Sequence, residues 1–133
     1  MQKGVGNSFG KQERLFLTKQ IEQLFSEGRS VTSFPLRIQY LLVPVSDQSP
    51  SKVLFSVPKK RFKRAVKRNL IRRKMREAFR LNKQQLYSLI PQGKQLLAAV
   101  VYINNEVADY QSVEKAIIKA FDKLKVRLEE CKV

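Results

Sequence analysis

Between Lys59 and Arg80 the chain carries twelve of its 27 basic residues and a single acid, Glu77. Guanidinium groups are planar forks that grip phosphate oxygens two at a time, whereas ammonium groups act as point charges with broad tolerance. Placed on a helix, Asn69, Arg72, Arg73, Arg76 and Arg80 recur at spacings of three and four and line up as one outward ridge. Lys59, Lys60, Lys63, Arg64 and Lys67 precede or enter that helix, and Arg68 adjoins the ridge. The chemistry open to such a surface is grip on a phosphate backbone, with arginines positioning and lysines attracting. Binding of this kind reads shape rather than sequence and weakens steeply with salt, by a slope of roughly 0.9 per neutralised phosphate on a duplex. A merely solvated face would intersperse acids among the cations, and this one does not.

The rest of the chain narrows the function classes. At 133 residues it fits one domain, and a net charge of +16 calls for a polyanionic partner. A 43% apolar content in periodic runs argues for a packed fold rather than a basic tail. There is no histidine, and Asp47, Asp109 and Asp122 share no motif, so nothing assembles a general base, a nucleophile or a metal-binding carboxylate cluster in the protein alone. Cys131, the only cysteine, excludes an intramolecular disulfide and fits a reducing compartment. The longest apolar run, Leu96 to Ile103, is far below the roughly 20 residues that span a bilayer, and residues 1–20 lack a signal-peptide core. These points predict a cytoplasmic protein with no membrane partner.

The elements that must position the basic ridge follow from periodicity. Residues 1–12 read as a flexible lead-in, 13–128 as one RNA-binding domain and 129–133 as a tail. Thr18 is placed to cap a short helix through Phe25, stopped at Gly28, with Ile21, Leu24 and Phe25 on one face. Leu36, Ile38, Tyr40 and Leu42 alternate with Arg37 and Gln39 as in a half-buried strand, and Val53–Val57 follows a turn as a second strand, predicted to pair with the first in antiparallel fashion. A short strand near Ser30–Ser33 is also expected. The basic helix should run from Ala65 to about Tyr87, burying Ile71, Met75, Ala78 and Phe79, and end by Ile90-Pro91-Gln92-Gly93. Leu96–Ile103 reads as a central strand, and Ser112 as the cap of a last helix with Val113, Ala116, Ile117, Ala120, Phe121 and Leu124 in the core. The expected class is α+β, a two-layer α/β sandwich in the order αβββαβα.

Ser56-Val57-Pro58-Lys59-Lys60, followed by Ala65-Val66-Lys67-Arg68-Asn69-Leu70-Ile71-Arg72-Arg73-Lys74-Met75-Arg76-Glu77-Ala78-Phe79, closely resembles the signature of the bacterial ribonuclease P protein family. Arg14-Leu15 ahead of the first helix resembles the family's opening, and the likeness covers roughly residues 13–125. It implies a ribosomal-protein-like fold with a left-handed βαβ crossover. It also implies a subunit of an endoribonuclease whose RNA subunit, with magnesium, removes the 5′ leader of precursor tRNA. The protein, monomeric in the holoenzyme, would bind that RNA and the leader, with no catalytic side chain and no cofactor of its own. By the same resemblance Arg68, Asn69, Arg72, Arg73 and Arg76 contact the RNA subunit, and Arg14, Ile21 and Phe25 belong to a leader-binding cleft, Phe25 as a stacking ring; Tyr40 is either a second stacking ring of that cleft or, as a buried strand aromatic more often is, a core residue. Two departures stand out: Ile21 replaces a frequent phenylalanine, and Arg61-Phe62-Lys63-Arg64 replaces a shorter, glycine-containing loop, with Phe62 as its anchor.

Overall fold

A computed structural model describes residues 18–44 and 51–130, so the lead-in with Arg14, residues 45–50 with Asp47, and the tail with Cys131 lie outside the described residues. The elements are α1 (Thr18–Glu27), β1 (Arg29–Ser33), β2 (Leu36–Pro44), β3 (Ser51–Ser56), α2 (Ala65–Tyr87), β4 (Lys94–Tyr102) and α3 (Tyr110–Glu130), which is the expected αβββαβα order.

The sheet order is β1-β2-β4-β3. The predicted antiparallel pairing of the Leu36 and Val53 strands is therefore corrected: β4 lies between them, antiparallel to β2 and parallel to β3. The physical reason is in β4 itself, buried at every position from Gln95 to Val100, because so apolar a strand needs neighbours on both edges and cover on both faces. The short strand β1 is present and forms a hairpin with β2. The parallel β3–β4 pair joined through α2 is a βαβ crossover.

Side-chain alternation divides the sheet into two faces. Val31, Ile38, Tyr40, Val53, Phe55, Leu96, Ala98, Val100 and Tyr102 point to the side covered by α2 and α3 and form the main core. Leu97 and Ala99 point to the other side, where Leu24 of α1 is fully buried against them. Gly28, just past α1, lies where a Cβ would sit 2.3 Å from the Leu24 carbonyl oxygen and 2.8 Å from that of Tyr40, so only glycine lets the chain turn here from helix into β1.

Two cap assignments change. Thr18 is already the first helical residue of α1, and the position before it is outside the described residues. In α3 the cap is Asp109 rather than Ser112, since the Ser112 amide donates to Asp109 Oδ1 at 2.8 Å and the Val113 amide to Asp109 O at 3.2 Å. Ser112 is the third residue inside the helix, where its N–H is one of the donors a cap must satisfy. Hydrogen bonds from the Ser112 side chain and backbone hold the Asp109 carboxyl below the usual aspartate range.

Candidate nucleic-acid interface

The inward stripe of α2 is as the spacing predicts. Ile71, Met75 and Ala78 are fully buried and Phe79 is 1% exposed. Phe79 meets Phe55 of β3 edge-on at 5.6 Å and Phe121 of α3 at 5.8 Å, which fixes the rotation of α2 against both layers. With that face fixed, Asn69, Arg73 and Arg76 are exposed and Arg72 is half-buried, its Nε buried and without a hydrogen-bond partner. Asn69 to Arg80 covers about 17 Å of helix axis at roughly 1.5 Å per residue.

The start of α2 is set up without the usual countercharge. Arg64 at the N-cap position is extended and makes no side-chain cap, and the first turn has no acid. The helix-terminal N–H groups therefore add their positive end to Lys59, Lys60, Lys63, Arg64 and Lys67, all exposed. The approach segment is pinned from below: Phe62 is buried, 5.9 Å from the Tyr102 ring, and so anchors the loop. The Arg61 amide donates to Pro58 O at 3.1 Å and its Nη1 to Asn105 Oδ1 at 2.8 Å. The Tyr102 hydroxyl donates to Glu106 O at 2.5 Å and accepts from the Ala108 amide at 2.8 Å, while Lys74 Nζ donates to Ala108 O at 2.9 Å. The β4–α3 loop is thus a frame for the basic segment.

Two of the predicted cations have internal work. Arg68 Nη1 donates to the carbonyls of Phe62 and Lys63, each at 2.8 Å, and so ties the helix to its approach loop. Arg80 forms a forked pair with Glu77, at 2.7 and 3.1 Å, and that hydrogen bonding lowers the Glu77 carboxyl. A solvent-exposed pair of this kind is worth little, so a phosphate can take the guanidinium from Glu77. Because Arg68 serves the loop, Arg68→Ala should lower stability by about 1–3 kcal/mol from its orphaned carbonyls. Chemical denaturation checks this, with Lys67→Ala as the exposed neighbour expected to be nearly neutral.

The α1 side brings together less of what was expected. Ile21 packs against the Leu97–Ala99 cluster, and Phe25, 48% exposed, presents an open ring on α1. Tyr40 is corrected: at 4% exposure it lies in the main core on the opposite face of the sheet from α1, because even positions of β2 turn toward α2 and α3. It offers no ring to a nucleotide. The α1 face instead shows a cross-strand row of exposed Arg37 with half-buried Val101 and Ser56.

The sequence profile of the ribonuclease P family matches residues 9–125. A ribonuclease P protein component from Porphyromonas gingivalis is 41% identical over 112 residues, covering 83% of this chain and 81% of the relative. The chain belongs to the ribonuclease P protein family. A second such component, from Chlorobium phaeobacteroides, is 40% identical over 106 residues, 73% of each chain. The fold agrees with the solved RNase P protein of Thermotoga maritima, at a TM-score of 0.65 and 23% identity over 84% of this chain and 96% of that one. It agrees also with a Staphylococcus aureus RNase P protein mutant, at a TM-score of 0.68 and 18% identity over 86% and 90%.

As a ribonuclease P protein the chain is a subunit of the tRNA-processing endoribonuclease, a ribonucleoprotein, and its partner is ribonuclease P RNA. No described helix is long and apolar enough to cross a membrane. Sequence reasoning missed Val66 and Leu70, exposed beside the arginine ridge; their signal was an apolar pair four apart on the face that periodicity gives to solvent. It also missed Arg37, which was read only as an outward strand position.

Proposed function

We propose that this ribonuclease P protein docks on the catalytic RNA through Lys59, Lys60, Lys63, Arg64, Asn69, Arg72, Arg73, Arg76 and Arg80, and holds the 5′ leader of precursor tRNA on the α1 side of the sheet. The observation that carries the first part is the basic face of α2, with Glu77 as its single acid, whose orientation is locked by Phe79 and whose approach is pinned by Phe62 and Arg68. A prealigned set of forks loses little entropy on meeting phosphates, which is how a small protein acquires affinity for a shaped RNA. Arg68 orders this surface and Asn69 adds an amide within it.

For the leader, support comes from the exposed ring of Phe25 beside Ile21, with Arg37 across the same face of the sheet. An unpaired nucleotide stacks on such a ring for about 1–3 kcal/mol. Arg14 would extend that site from the segment preceding α1. Magnesium is expected with the RNA subunit, held by RNA phosphates. One protein copy per RNA suffices for this arrangement.

The test separates leader from body. Phe25→Ala should weaken binding of precursor tRNA to the holoenzyme by about 1–3 kcal/mol and leave mature tRNA nearly unaffected, read by equilibrium binding of both. Equal losses for the two tRNAs would take Phe25 out of the leader site.

A further inference from the structure

α3 carries a second cationic line on the opposite side of the fold from β3. Lys115, Lys119, Lys123 and Arg127 recur every four residues, and all four are exposed. Lys123 and Arg127 of this row border β1, and β1 and β3 are the two edges of the sheet. A groove of about 460 Å³ runs between helix and strand, lined by Ser30, Val31, Thr32, Lys123, Val126 and Arg127. Lys123 Nζ donates to the Thr32 carbonyl across it.

Two acids of α3 are turned away from this row. Glu114 and Asp122 turn toward α2, where they accept from Asn82 Nδ2 and Gln85 Nε2, both at 3.1 Å. The cations take the other flank, beside a strand that contributes Arg29, Ser30 and Thr32 and no acid. Lys115, at the head of the row, lies near the capping Asp109. Helix polarity does not account for the row either: Arg127 in the last turn suits the negative end of α3, but Lys115 and Lys119 lie in its first half.

We propose that this groove is a second RNA-binding surface, which holds the phosphate backbone of a single-stranded segment distinct from the RNA on α2. Successive cations rise about 6 Å along the helix, a spacing an extended strand can follow with one phosphate per turn. Ser30, Val31 and Thr32 of β1 form the facing wall. Strand addition to the β1 edge is opposed, since Lys123 already occupies the Thr32 carbonyl and charge guards the edge. A second copy of the chain would set two like-charged rows against each other. The surface stands apart from the docking and leader sites, so its failure leaves those readings intact.

The test is binding of a uridine 20-mer to the full chain across a salt series. Lys119→Gln with Arg127→Gln is compared with Lys94→Gln plus Lys125→Gln, which removes the same charge from exposed positions outside every proposed site. Lys123 is kept, because it holds β1. Loss of two phosphate contacts should lower the slope of log affinity against log salt by about 1.4, at roughly 0.7 per contact on a single strand, with the control pair well below that. Equal slopes in both pairs would overturn the proposal by reducing it to net charge. So would an unchanged uridine 20-mer affinity with loss only of binding to phosphatidylserine vesicles, or loss only of self-association in sedimentation.

Discussion

Replacing Arg72 and Arg73 together by alanine should weaken binding to ribonuclease P RNA by about 3–6 kcal/mol at low salt, since a hydrogen bond to a charged group contributes about 1.5–3 kcal/mol. Both side chains lie on the ridge, one exposed and one half-buried, and neither carries a fold contact of the kind Arg68 makes. Surface substitutions away from such contacts change stability by about 0.5 kcal/mol or less each, so the melting temperature should move little. The salt slope should fall by nearly 2 as well, at about 0.9 per lost phosphate contact on duplex regions. Filter binding against a salt series, with melting run in parallel, reads all three quantities. A collapsed fold with unchanged salt slope would make the ridge structural.

The reverse pattern is expected on the inward face of the same helix. Phe79→Ala removes a ring that is 1% exposed and meets Phe55, Tyr87 and Phe121 edge-on. Deleting a buried phenylalanine costs about 3–5 kcal/mol, a large share of the roughly 5–15 kcal/mol available to a domain. With a urea dependence of about 2 kcal/mol per molar, the unfolding midpoint should fall by roughly 2 M. Saturating RNA should restore part of that loss, because a ligand that binds only the folded state stabilises it. A shift below about 0.5 M would mean that Phe79 does not fix α2 to the sheet and α3.

Much of this arrangement could be read from the residues alone, for identifiable reasons. The apolar stripe Ile71, Met75, Ala78 and Phe79 dictates which way α2 faces, and the arginines follow from it. The unbroken apolar run of β4 announces a central strand. The β2–β3 pairing failed because proximity in sequence was taken for proximity in space, whereas β4, some forty residues on, had the stronger claim to both edges.

Tyr40 stays open between stacking ring and core residue in the sequence for a related reason. The alternation of β2 states that Tyr40 shares a face with Ile38 and Leu36, but not which face α1 covers, and α1 lies on the other one. The internal bonds of Arg68, which adjoins the ridge, and of Arg80 within it were not legible, because sequence spacing cannot show a guanidinium turned back onto Phe62 and Lys63, or onto Glu77. The Asp109 cap was one turn earlier than Ser112, at a boundary where apolar periodicity fades before the helix does.

Through α2 this protein is expected to act as an auxiliary of a catalytic RNA. Cleavage of a 5′-labelled precursor tRNA by bacterial ribonuclease P RNA at low magnesium, with and without the protein, tests it most directly. Little cleavage by RNA alone, strong rescue by the protein, loss of rescue with Arg72→Ala and Arg73→Ala, and no cleavage by protein alone are expected. Absence of rescue while general RNA binding persists, or cleavage by the protein without RNA, would contradict it.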